Sequence, residues 1–89
     1  MVWTVKYSVS AKHDLKRLDK KIAQAIENYV SNDLASLNDP KIQGKLLKGN
    51  LNNYWSFRFQ NIYRIICLFE DENLIITVIR ASHRKEVYD

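Results

Sequence analysis

The sequence predicts an α+β domain: a helical hairpin packed on one face of a small, mostly antiparallel sheet, in the order β-α-α-β-β-β. Three observations carry this. Helical apolar spacing runs through residues 11–37, three apolar or alternating β-segments fill 54–81, and only turn-sized polar stretches separate those segments. The 89 residues form one domain, 1–89; a chain of this size buries roughly 60–65% of its unfolded surface and builds a single thin core. A hydrophobic content of 46% with 11% aromatics argues against disorder.

Each element has a local reason. "VWTVKYS" (Val2–Ser8) alternates and is rich in β-branched and aromatic residues, as a strand is, and it is expected to join a sheet edge beside one of the later strands. Ser10 is the expected cap of a first helix over 11–18, which carries Leu15 and Leu18 on one face. Asp19 breaks that helix and can cap the next. From Lys20 to about Leu37, Ile22, Ala25, Ile26, Tyr29, Val30, Leu34 and Leu37 keep the spacing of one amphipathic helix. Residues 38–53 hold the single proline and both glycines and read as a loop with room for a helical turn at 41–47. In "YWSFRF" (54–59), Trp55, Phe57 and Phe59 take one face, while Tyr54, Ser56 and Arg58 take the other. "YRIICLF" (63–69) and "LIITVIRA" (74–81) are apolar runs covered on both faces, and the turns at 60–62 and 70–73 are short enough to make a meander.

Charge is mild in total, with 14 Lys+Arg against 10 Asp+Glu, but unevenly spread. Between Pro40 and Phe69 stand Lys41, Lys45, Lys48, Arg58 and Arg64 and no acid, a one-signed stretch that attracts a nucleic-acid backbone or an acidic protein. The lone Cys67 lies inside "IICLF" and reads as a small core residue in a reducing compartment. No signal peptide and no apolar run of membrane-spanning length is recognisable, so a cytoplasmic protein away from the membrane is expected.

Ser56 and Arg58 share a strand face, Arg64 lies just across a tight turn, and His83, Arg84, Lys85 and Tyr88 leave the last strand. In a meander these positions can converge on one patch of cations with one imidazole and one phenol. RNA strand cleavage needs those ingredients. A base takes the proton of the 2′-OH, an acid protonates the departing 5′-oxygen, and cations stabilise the charge on the phosphate oxygens. Arg58, Arg64 and Arg84 supply planar forks for phosphate. His83 titrates near neutrality, and Tyr88 becomes a useful base only if neighbouring cations lower its pKa. The histidines, Cys67 and the acids lack metal-ligand spacing, and neither a P-loop nor a Gly-rich phosphate cradle is present, so no metal and no cofactor are expected. Each residue also has a plainer reading. Arg64 can pair with Glu70 or Asp71, His83 can cap the strand end, Tyr88 can fold back on the core, and Lys41, Lys45 and Lys48 can be a solvated loop.

The order of these residues along the chain resembles the RelE/ParE superfamily of bacterial toxins, and its RelE branch in particular. The likeness is carried by "KL" at Lys45-Leu46 leading to Gly49, "YWSFR" at 54–58, "YRII" at 63–66 and "HRKEVY" at 83–88, and with the N-terminal β-α-α segment it covers essentially the whole chain. It implies the toxin of a type II toxin–antitoxin pair, which enters the ribosomal A site, cuts mRNA there and is blocked by a cognate antitoxin. Operator DNA would be bound only by the toxin–antitoxin complex. By position, Arg58 matches a strand residue that contacts RNA, Arg64 an arginine that stabilises the scissile phosphate, and Arg84 a C-terminal arginine that neutralises phosphate or leaving group. Tyr88 matches a terminal tyrosine that stacks on a base or takes part in proton transfer. His83 matches a histidine proposed as acid or base, and which of His83 and Tyr88 plays which part stays open. Lys45, Lys48 and Ser56 complete the expected RNA-binding surface, although Ser56 stands where the best-known member has a lysine proposed for proton transfer. A gyrase inhibitor of the ParE type and a catalytically inactive binding module are the alternatives on the same fold.

Overall fold

The computed structural model describes residues 2–47 and 53–83. Strand β1 (Thr4–Tyr7) leads into helices α1 (Val9–Arg17) and α2 (Lys20–Asn28), and a 3₁₀ turn (Pro40–Gln43) precedes a short strand β2 (Lys45–Leu46). Strands β3 (Tyr54–Phe59), β4 (Tyr63–Glu70) and β5 (Ile75–His83) follow. The sheet order is β1-β5-β4-β3-β2; β1 runs parallel to β5 and every other pair is antiparallel. The expected helical hairpin on a mostly antiparallel sheet is therefore observed. Ala11, Leu15, Ile26, Val30 and Leu34 from the helical side meet Phe57, Ile65, Cys67, Ile76 and Val78 of the sheet in one buried core.

Three local expectations are corrected. The cap of α1 is Ser8 rather than Ser10: Ser8 has extended backbone, and its Oγ accepts the N–H of Ala11 at 3.0 Å. The helix can start earlier because the strand ends at Tyr7, and Ser10 then lies exposed in the first turn. Asp19 does cap α2, its Oδ2 taking the N–H of Lys21 at 3.1 Å. The single long helix expected over 20–37 is an α-helix only to Asn28 and widens into a π-helical segment over Tyr29–Leu34, where the Ala35 N–H bonds to the Val30 carbonyl. A wider turn brings positions i, i+4 and i+5 to one side, and Val30, Leu34 and Ala35 are all buried together. Finally, the expected loop at 38–53 contains a strand. Lys45 pairs with Ser56 and Leu46 with Trp55, adding a fifth strand at the sheet edge.

The hairpin turns follow backbone chemistry. Gln60 and Asn61 have φ of 53° and 61°, and Ile62 N–H bonds to the Phe59 carbonyl, a left-handed turn within the three-residue loop closed by the Phe59–Tyr63 pair. Between β4 and β5 the register shifts: Ile66 faces Arg80 and Cys67 faces Val78, so Ile79 is an extra residue in β5.

Cys67 is fully buried, and burial pushes its thiol from an ordinary 9.0 up to about 12. Burial also raises the phenols of Tyr7 and Tyr29. These groups bind protons more tightly folded than unfolded. Their stabilising contribution is whole below about pH 9, where the unfolded thiol begins to ionise, and is lost as pH rises toward 12. The urea midpoint is therefore expected to fall between about pH 8 and about pH 10.5, with Cys67→Ala showing a shallower fall. A midpoint that stays flat over that interval in the native chain contradicts the assignment.

Candidate nucleic-acid interface

The open face of the sheet is built by register. Directly opposed residues in adjacent strands share a face. Arg58 of β3 stands opposite Arg64 of β4, and Arg64 stands opposite Ser82 of β5. Two residues along, Lys45, Ser56 and Ile66 form the neighbouring row. The reverse face of the same strands carries Phe57, Ile65 and Ala81, all fully buried. The alternation that sends these three into the core thus sends Arg58, Arg64, Ser56 and Lys45 outward together. A groove of about 560 Å³ runs between the segment 42–47 and the floor formed by Ser56, Arg58 and Arg64. Its described lining carries three cations, Lys45, Arg58 and Arg64, and no carboxylate.

Like charges directly across a strand pair cost stability. Arg58 is exposed to water, but Arg64 is only 9% exposed, where its charge is screened less. That placement suits an anion such as a phosphate. Glu70 closes the far end of β4, and Asp71 is held by Lys41 at 2.8 Å. Lys41, expected to be solvated, also lies 5.6 Å from the Trp55 ring centre and 5.5 Å from that of Phe69. It ties the 3₁₀ turn, which leads into the 42–47 wall of the groove, to the β4–β5 turn.

The strand end departs from the expected single patch. His83 is the last residue of β5, opposite Tyr63, with ring centres 5.8 Å apart in an edge-on contact. It sits one residue beyond the Arg64–Ser82 pair and therefore points to the opposite face from Arg64. Ser82, which sequence reasoning passed over, is the β5 residue that stands beside Arg64, and it is 4% exposed. Arg84, Tyr88 and Lys48 lie outside the described residues. His13 is exposed on α1, away from the groove.

Residues 5–88 match the family model for the ParE toxin of the type II toxin–antitoxin system parDE. The chain belongs to the RelE/ParE family of type II toxins. Relatives agree on the RelE-like character of this toxin. It is 30% identical to Toxin RelG of Mycobacterium tuberculosis over 88 residues, covering 99% of this chain and 98% of the relative. It is 32% identical to Toxin RelE of the same organism over 84 residues, covering 94% and 84%. Among solved structures, the RelBE2 toxin–antitoxin complex of M. tuberculosis superposes with a TM-score of 0.84 at 28% identity, over 94% of this chain and 93% of that one. The toxin fold is thus the observed one, and that neighbour was solved bound to its antitoxin. Among the described residues no helix is long and apolar enough to cross a membrane.

Proposed function

We propose that this toxin is an endoribonuclease that cuts mRNA in the ribosomal A site and is neutralised by a cognate antitoxin. The observation that carries the reading is the groove: three cations, no carboxylate among its described lining, and two arginines facing each other across β3 and β4. The relatives named Toxin RelG and Toxin RelE support it. In the proposed reaction the 2′-oxygen attacks the adjacent phosphorus and the bond to the 5′-oxygen breaks, leaving a 2′,3′-cyclic phosphate and a free 5′-hydroxyl. The 2′-OH proton goes to a base and the leaving oxygen receives one from an acid. Arg64 stabilises the phosphate, assisted by Arg84. Arg58, Lys45, Lys48 and Ser56 hold the RNA backbone. No step calls on a metal or a cofactor. His83 and Tyr88 are the proton-transfer candidates, and the packing of His83 on Tyr63 favours Tyr88. A single weak base beside the arginine row aligns the 2′-OH poorly on its own, and the ribosome supplies that positioning.

The test is a primer-extension map of an mRNA in a purified translation reaction. Breaks inside A-site codons are expected, absent without ribosomes and absent when the antitoxin is added with the toxin. His83→Gln is expected to keep most of the cleavage and Tyr88→Phe to lose it. Intact mRNA at every toxin concentration rejects the reading, and a gyrase supercoiling assay then examines the ParE-type alternative.

A further inference from the structure

The extra residue in β5 changes which side chains reach the groove. Up to Val78 the strand is in phase with β1, and Ile76 and Val78 point into the core. Without the bulge, alternation would carry the same phase to the strand end, burying Ser82 in the core and turning His83 outward. With Ile79 inserted, the phase reverses: Ala81 enters the core opposite Ile65, Ser82 comes to the arginine face, and His83 turns to Tyr63.

The bulge lies where β5 has outrun its partner, since β1 ends at Tyr7 opposite Val78. Past that point α1 covers the strand edge with side chains. Ser8 Oγ donates to the Ile79 carbonyl at 2.9 Å while it caps the helix. Asp14, 4% exposed, accepts the Ala81 N–H at 3.0 Å and the Arg80 guanidinium at 2.7 and 3.2 Å. A nearly buried carboxylate on a helix, spent on one strand N–H and the arginine beside it, is a costly way to close an edge. The register it enforces is the return.

We propose that Asp14 is a positioning residue of the cleavage groove: together with Ser8 it locks the β5 bulge, and the bulge sets Ser82 beside Arg64. This rests on the endoribonuclease reading. It assigns to α1, on the far side of the sheet edge, a role in aligning the strand that completes the site.

Three variants and two readouts test it. Asp14→Ala removes the acceptor, whereas Asp14→Asn keeps an oxygen for the Ala81 N–H. Ser8→Asp keeps a cap for α1 but has no proton to give the Ile79 carbonyl. In single-turnover cleavage on ribosomes, Asp14→Ala and Ser8→Asp are expected to lower the maximal rate by roughly 10- to 100-fold, with half-saturation unchanged. Asp14→Asn should recover most of that rate. By NMR, the Tyr63–His83 ring contact and the exchange protection of the Ala81 amide should weaken in the first two variants and persist in Asp14→Asn. If Asp14→Ala does not fold, Ser8→Asp decides. Folded variants with native rates, or a loss confined to half-saturation, overturn the proposal. So does an unchanged Tyr63–His83 contact in a slowed variant. A native toxin that cuts no mRNA removes the functional reading, and the NMR arm then still shows whether Asp14 and Ser8 hold the strand phase.

Discussion

Arg64→Ala is expected to lower mRNA cleavage on ribosomes by roughly 100- to 1,000-fold, the usual cost of deleting one preorganised donor to a transition-state oxyanion. The folded spectrum and antitoxin binding should stay intact. Arg64 is the residue for which the effect should be largest, because it occupies the middle of the row. Arg58 flanks it on β3 and Ser82 on β5, and β4 is itself an interior strand, so neighbouring strands fix its backbone on both sides. At 9% exposure its charge acts through a medium less screening than water, whereas the exposed Arg58 acts mostly through solvent. Arg58→Ala should therefore weaken binding more than it slows the bond-breaking step. Arg64→Lys is the sharper comparison: it keeps the charge and loses the fork, and a rate close to that of Arg64→Ala would show that two-point contact with the phosphate matters rather than charge alone. Arg64→Ala cleaving at the native rate would remove the groove from the mechanism.

Sequence patterning made the fold and the floor of the groove legible for a physical reason. Alternation in "YWSFRF" is a local property, and it places Arg58 outward once Phe57 is inward. The Arg58–Arg64 pairing needs only that alternation and a three-residue turn. The strand end was not legible, because one inserted residue inverts every assignment beyond it. Nothing in "TVIRASH" marks Ile79 as extra. The bulge is held by Ser8 and Asp14, which are 71 and 67 residues from the atoms they bind. Strand alternation read from the sequence alone therefore places His83 on the groove face and Ser82 in the core. The π-helical segment was hidden for a similar reason: Tyr29 and Val30 fit the apolar spacing of an ordinary helix, and only the burial of Ala35 beside Leu34 reveals the wider turn. Strand β2 is two residues long, too short for alternation to register.

The largest stability effect is expected at Phe57, and it reaches the groove through Gly44. Phe57 is fully buried, pairs with Ile65 of β4, and lies 6.0 Å from Phe69 between ring centres. Phe57→Ala should cost about 3–5 kcal/mol, a large share of what a domain this small possesses, and lower Tm by well over about 10 °C. The same ring explains the glycine. Gly44 has φ of −122° and ψ of −175°, extended backbone open to any residue, so its small size and not its flexibility is what the position requires. A Cβ there would lie 2.7 Å from Cε2 and 2.9 Å from Cζ of Phe57. The ring is enclosed and cannot retreat, so Gly44→Ala should push the 42–47 wall outward, at about 1–3 kcal/mol. Lys45 moves with it, and half-saturation by ribosomes should rise. Phe57→Leu shortens the side chain at the point of contact. In that background Gly44→Ala should cost less than in the native chain, and a double-mutant cycle measures the coupling. Additive losses would mean that the wall stands independently of the core. Coupling of about 1 kcal/mol or more would mean that a single ring-to-backbone contact sets both the packing of the sheet and the width of the groove laid over it.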